Sequence, residues 1–309
     1  HHHVDIFGGI FTRRYLFNVH KNKHYSGELF FMNPILVDKL LKKYLLEDIG
    51  RADLSAEGVF RGERVRAVIV AKESGILAGL PFAARVFRLL GSDIEIKPLK
   101  GEGQPFEAGE TVMLLEGNAK TILMGERLAL NILQRLSGIA TKTFRMVEKI
   151  RDLPVKLLDT RKTTPGFRLF EKYAVKVGGG ENHRFALYDM VMIKDNHIKV
   201  AGSIKEAVNR VRQIIPPVYK VEVEVSSLDE LKEVLELPVD IVMLDNFNPE
   251  EVKRAIPLAR EKNPSLETEI SGGINENNIR EFALAGPDYI SSGSVIHSAR
   301  WLDLSLKVV

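Results

Sequence analysis

Apolar positions change their rhythm near residue 150, and the change separates two kinds of structure along the chain. Before it, Leu36, Leu40, Tyr44 and Leu45 recur at helical spacing in NPILVDKLLKKYLLEDIG, with Pro34 suited to a first turn and Gly50 to a stop. VRAVIVAKESGILAG reads as two strands around a turn, and PFAARVFRLLG as an amphipathic helix ended by glycine. IEIKPL alternates like a half-exposed strand, and GQPFEAGETVMLLEG reads as a turn and a further strand. Short strands mixed with helices predict an α+β layer domain. ERLALNILQRLSGIATKTFRMVEKI then reads as a long helix, apolar around much of its circumference, with Gly138 as an interruption. Such a helix is expected between domains or subunits.

From Val155 onward the order becomes strand, loop, helix, repeated. VKLLDT, DMVMIK, VEVEV, DIVMLD, LETEIS and YISSGS read as strands, separated by helical stretches such as SIKEAVNRVRQII, LDELKEVLEL and NPEEVKRAIPLAREK. Serial parallel strands with intervening helices predict an α/β barrel, although six strands fall short of the eightfold form. The tail WLDLSLKVV is expected to pack back on the first domain.

Strand parity locates the chemistry. Val221, Val223 and Val225 share one face of VEVEV while Glu222 and Glu224 share the other, so valines under the helices would send both carboxylates into the barrel lumen. Glu224 lies nearer the C-terminal end of its strand, the working face of such barrels. The same count sends Asp245, Glu269 and Lys194 to the lumen. Carboxylates at adjacent strand ends suit Mg²⁺, and they equally suit a structural Lys–Glu network. Ser271-Gly272-Gly273 and Ser291-Ser292-Gly293-Ser294 follow the last two strands, where backbone N–H groups commonly hold phosphate. Gly178–Gly180 follow a helical pattern and stop it, or let the next loop move.

Between Asp159 and His197 the cations stand beside Gly, Pro, Thr or Asn, and several close apolar runs: Arg161-Lys162 after VKLLDT, His183-Arg184 after three glycines, Lys194 after MVMI. This placement points to positive groups converging on one anionic ligand rather than to a solvated surface. Composition narrows the field further. A net charge of +3 is too small to imply nucleic-acid binding, and the basic residues lack aromatic interleaving. The absence of cysteine excludes disulfides, thiolate metal sites and a Cys nucleophile. No apolar run approaches the ~18 residues of a membrane span, and no signal-peptide core is present, so a cytoplasmic protein is expected. His1–His3 look like a tag remnant; Val4–Phe31 has no clean period and receives no function, and Met32 is a candidate natural start. The expected division is 1–31 outside the fold, 32–140 as the α+β domain with 297–309 packed on it, and 141–296 as the catalytic barrel.

The segments DTRKTTPG, EKYAV, GGGENHR and IKDNH, in this order and spacing, resemble quinolinate phosphoribosyltransferase. The likeness extends to EDIGRADLS, ERLALNILQRLSGIAT, VEVEV, MLDN, ISGGI and ISSGS, covering Met32 to the C-terminus. It implies an open, incomplete TIM-like parallel α/β barrel and the reaction of quinolinate with phosphoribosyl pyrophosphate, giving nicotinate mononucleotide, CO₂ and pyrophosphate. By the same resemblance Arg127, Arg161, Arg184 and Lys194 clamp quinolinate with His183 beside them. Lys162, Glu224 and Asp245 meet phosphoribosyl pyrophosphate and Mg²⁺ or Mn²⁺, with Glu222 the lesser of the glutamate pair. Ser271, Gly272, Gly273, Ser291 and Gly293 match the 5′-phosphate site. No organic cofactor is implied, and a homodimer, alone or within a higher oligomer, is expected, with Arg127 reaching the neighbouring subunit's barrel. Ala52, Ser55 and Ile296 depart from the usual Gly, Thr and Thr, which bears on the details of the phosphate loop. The nearest alternative is a paralogue acting on another acidic ligand, such as nicotinate or one linked to molybdenum transport, though a single carboxylate would not need so many cations. A Schiff-base aldolase or decarboxylase using Lys194 is the alternative from another class, because neighbouring cations lower a lysine pKa.

Overall fold

The computed structural model of the protein describes residues 32–309, so the tag remnant and the extension through Phe31 lie outside the described residues. The chain forms two compact units, one running to Thr141 and taking back Arg300–Val309, the other Lys142–Ala299. In chain order the first contributes α1 (Pro34–Ile49), α2 (Leu54–Val59), β1 (Arg64–Ala71), β2 (Gly75–Ile76), α3 (Leu80–Leu90), β3 (Glu95–Pro98), β4 (Pro105–Phe106), β5 (Thr111–Asn118) and most of α4 (Ala119–Ile150). The second contributes β6 (Lys156–Leu158), α5 (Arg168–Val177), β7 (Val191–Ile193), α6 (Asp195–Ala201), α7 (Ile204–Ile214) and β8 (Val221–Val225). It continues with α8 (Leu228–Leu235), β9 (Ile241–Asp245), α9 (Pro249–Lys262), β10 (Glu267–Ser271), α10 (Ile279–Ala283), β11 (Tyr289–Ser291) and α11 (Ser294–His297). The chain closes with β12 (Leu304–Val308), back in the first unit.

The first unit is an antiparallel sheet of order β12–β1–β5–β3 with helices packed on it, the expected α+β layer. The tail reaches it through backbone pairing, with Ala67 of β1 opposite Val308. Two expectations need correction. In α1 the buried stripe is Val37, Leu41 and Leu45, whereas Leu36 is exposed and Leu40 and Tyr44 are only half-buried. Both stripes have helical spacing. Packing against α3 chooses between them, and the Arg85–Asp38 pair, with Nη2 2.6 Å from Oδ2, pins the choice. Nor does Gly138 interrupt α4, which is one continuous helix of 32 residues. A Cβ at Gly138 would stand 1.9 Å from the carbonyl oxygen of Arg300, so the glycine lets the returning chain press against the helix.

All six expected strands of the second unit are present, in one wholly parallel sheet of order β6–β11–β10–β9–β8–β7. Several helices after these strands start on a side-chain cap: Ser203 accepts from Glu206 N, Ser227 from Glu230 N and Asn248 from Glu251 N. Strand, capped helix and return repeat with the strand ends pointing one way, which collects the βα loops at one face. The series does not close. β6 and β7 end the strand order, and among the described residues only Glu181 extends β6 on its free side, its N–H donating to Leu157 O at 2.8 Å. The result is an incomplete TIM-like barrel. Gly178 ends α5 through its N–H to Ala174 O, the stopping role read from the three glycines.

Gly138→Ala tests the close approach at α4. Alanine in an exposed helix interior gains about 1 kcal/mol over glycine, whereas overpacking costs about 1–3 kcal/mol. A lower urea midpoint than wild type is expected, and a higher one would contradict the spacer role.

Candidate active site

The loops at the strand ends of the second unit surround a cavity of about 760 Å³, large enough for a small-molecule ligand. It is lined by Arg161 and Lys162 after β6, His183 and Arg184 after the glycine stop, Lys194 after β7, Glu224 in β8 and Asp245 at the end of β9. Glu269 and Ser271 of β10, Gly272, Gly273, Ser291 at the end of β11, and Gly293 complete the wall on the other strands. Every expected site residue of the second unit therefore faces one space. Arg127 belongs to the first unit, where it is exposed on α4.

The cation loops are held from behind. Asp159, the first residue of DTRK, is buried and accepts from Lys172 Nζ at 2.6 Å, His183 N at 2.8 Å and Asn182 Nδ2 at 2.7 Å. Lys172 also donates to the carbonyl of His183 at 3.1 Å. Glu171, next to it on α5 and equally buried, takes the backbone N–H of Thr164 at 2.6 Å and its hydroxyl at 3.0 Å. Arg168 donates to Thr163 Oγ1 at 2.8 Å and to Phe185 O at 3.0 Å. One helix thus carries a charged edge that ties both arginine-bearing loops together. The signal in the sequence is Glu171-Lys172 inside the apolar pattern LFEKYAVKV, since charges on a buried stripe need buried partners.

Around the cavity the charges are mutually dependent. Burial, then the neighbouring Arg161, lowers the pKa of Arg184, opposed by Glu222 and Asp189. Burial raises the pKa of Glu224, and Asp245 raises it further against Lys194. Burial likewise raises Asp245, opposed by the Asn246 amide, Lys194 and Lys162. The lumen parity read from VEVEV holds, with Val221, Val223 and Val225 buried on the opposite face. Glu222, the lesser of the glutamate pair as a ligand, stands against His183. This carboxylate is fully buried, with Oε2 3.3 Å from His183 Nε2, and Glu269 Oε2 is 3.0 Å from the same atom.

The glycine turns are shaped by close approach. Asn246 is the one non-glycine residue at positive φ (57°) among the described residues, and its side-chain amide donates to Asp245 Oδ2 at 3.1 Å. Gly272, at φ +101°, lies against it: a Cβ there would be 2.3 Å from Asn246 Oδ1. At Gly293 a Cβ would be 3.0 Å from Lys162 Cδ and 2.9 Å from His297 Cδ2. Asn246 and His297, which also line the cavity, were not singled out from sequence. The pair Asp-Asn at a strand end was the available signal, because asparagine tolerates the left-handed conformation.

Residues 139–307 match the family model described as quinolinate phosphoribosyl transferase, C-terminal domain, and residues 53–137 match its N-terminal domain. A Synechocystis protein named probable nicotinate-nucleotide pyrophosphorylase [carboxylating] is 46% identical over 275 residues, covering 89% of this chain and 93% of its own. The human nicotinate-nucleotide pyrophosphorylase [carboxylating] is 38% identical over 285 residues, covering 92% of this chain and 95% of its own. The solved structure of the nicotinate-nucleotide pyrophosphorylase from Francisella tularensis superposes with a TM-score of 0.84 at 41% identity, covering 90% of this chain and 98% of that one.

Proposed function

Because the chain belongs to the quinolinate phosphoribosyltransferase family, we propose that its cavity joins quinolinate to phosphoribosyl pyrophosphate, forming nicotinate mononucleotide, pyrophosphate and CO₂. The observation that carries this reading is a single cavity where Arg161, Lys162, Arg184 and Lys194 meet two strand-end carboxylates and two glycine turns. That donor set matches a dicarboxylate, a diphosphate and a monophosphate at once. It also favours quinolinate over a ligand with one carboxylate.

In this scheme Arg161, Arg184 and Lys194 pair with the carboxylates of quinolinate and aim its ring nitrogen at C1 of the ribosyl donor, which supplies proximity. Backbone N–H groups around Ser271–Gly273 and Ser291–Gly293 take the 5′-phosphate. The bond from C1 to pyrophosphate breaks as the bond from nitrogen to C1 forms, through an oxocarbenium-like centre. Lys162 offsets charge growing on the leaving oxygen. The alkylated, positive nitrogen then stabilises the electron pair left on the ring as the 2-carboxylate departs as CO₂, and a solvent proton fills that carbon. No nucleophilic side chain and no organic cofactor are needed.

Glu224 and Asp245 fit a divalent cation, Mg²⁺ or Mn²⁺, because both are hard oxygen donors whose raised pKa values mark negative charge short of compensation. A cation bound there would neutralise charge on the diphosphate. The assembly we propose is a homodimer with a shared site. Its support is not α4, whose apolar residues Ile122, Leu133, Leu136 and Ile139 are buried in the protomer. It is the exposure of Ile35, Leu46 and Leu54 on α1 and α2, together with an Arg127 side chain left exposed.

Three outcomes are expected. Arg161→Ala and Arg184→Ala each lose about 2–5 kcal/mol of quinolinate affinity by calorimetry, with melting temperatures near wild type. Near-wild-type affinity in both variants would remove the clamp. Turnover stops in excess EDTA and returns with Mg²⁺ or Mn²⁺, and Asp245→Asn weakens the dependence on metal concentration; full turnover in EDTA rules the metal out. Mixed inactive Arg127→Ala and Lys162→Ala chains recover up to roughly a quarter of wild-type activity, because half of randomly paired dimers are mixed and each has one intact site. Mixtures that demonstrably exchange subunits yet stay inactive exclude the shared site.

A further inference from the structure

His183 has every polar atom engaged by the protein. Its backbone N–H donates to Asp159 at 2.8 Å and its carbonyl accepts from Lys172 at 3.1 Å. Its Nδ1 accepts the Arg184 backbone N–H at 2.8 Å, which leaves the proton on Nε2. Nε2 points at Glu269 Oε2, 3.0 Å away, with Glu222 Oε2 behind it at 3.3 Å. The two acids, against burial, push the ring's pKa up to about 10, yet a second proton on Nδ1 would break the Arg184 contact. We therefore read the ring as the Nε2–H tautomer while that contact is made. His183, Glu222 and Glu269 also have the spacing of a metal-ligand trio. A metal at Nε2 would require that atom to be bare, which the Arg184 contact opposes.

We propose that Glu269 is a positioning residue: by accepting the Nε2 proton it fixes the His183 ring, and through Nδ1 it fixes the peptide of Arg184 in the cavity wall. Glu269 suits the task because its side chain is fully buried on a central strand and has no freedom to swing away. The Arg184 guanidinium then starts from a backbone held at a defined orientation rather than from a loose loop. The part of this proposal that concerns quinolinate rests on the functional reading above; the ring geometry does not.

The test uses the full chain labelled with ¹⁵N-histidine, the His183 resonances being identified by their loss in His183→Asn. At pH 8 wild type and Glu269→Gln should both show a protonated Nε2 on His183 whose proton exchanges slowly with solvent, since the glutamine oxygen still accepts. In Glu269→Ala the proton stays on Nε2, because Nδ1 still accepts from Arg184, but the slow exchange that marks its acceptor should be lost. In kinetics Glu269→Ala should raise KM for quinolinate about tenfold, the scale of one hydrogen bond, with KM for phosphoribosyl pyrophosphate unchanged. Glu269→Gln should stay near wild type. The proposal is overturned if Glu269→Ala keeps both the slow exchange and the wild-type KM, or if Glu269→Gln is as impaired as Glu269→Ala. Should Glu269→Ala fail to fold, wild type alone decides: a bare Nε2 on His183 overturns it. Because the resonance is read without substrate, failure of the quinolinate reading leaves that arm intact.

Discussion

The buried pair of Asp159 and Lys172, 2.6 Å apart, is the contact on which the site depends. Two charges out of water are costly unless each finds further partners, and removing one alone typically costs about 3–5 kcal/mol. Here the further partners are the backbone N–H and C=O of His183 and the amide of Asn182. The pair therefore joins the end of β6, helix α5 and the loop after the three glycines. Arg161 and Lys162 follow Asp159 after Thr160, and Arg184 follows His183. A hydrophobic pair of equal volume would fill the space without dictating where those cations go.

The opposite wall is built by strand register. Glu224 lies beside Met243, which lies beside Glu269, and Asp245 lies beside Ser271 in the next layer. Residues in register on neighbouring parallel strands face the same side, so acids spread over three strands reach one cavity without any long loop. The acids nevertheless differ in environment. Glu222 and Glu269 are fully buried against His183, while Glu224 and Asp245 are only half-buried. His183 Nε2 stands against the first two, and the other two line the cavity.

The glycines at the late strands divide the work differently. Gly293 leaves room for the Lys162 stem, and Gly272 leaves room for Asn246, whose left-handed backbone brings its amide to Asp245. Both turns can thus serve two purposes, exposing amides and setting the side chains that face them.

Periodicity alone determined the serial strands and helices from Val155 onward, the α+β pattern before them and the face on which the VEVEV glutamates lie, because these are properties of local spacing. It also separated strand-end cations from cations on helical faces. It could not choose between the two apolar stripes of α1, since both have the same period and only α3 distinguishes them. It read Gly138 as a break because propensity is local, whereas the reason for that glycine is a carbonyl more than 150 residues away in sequence. It could not pair Asp159 with Lys172, or His183 with Glu222 and Glu269, because hydrogen bonds between distant segments leave no spacing signature. Those pairings, which decide where each charge of the site points, exist only once the sheet has brought its strand ends together.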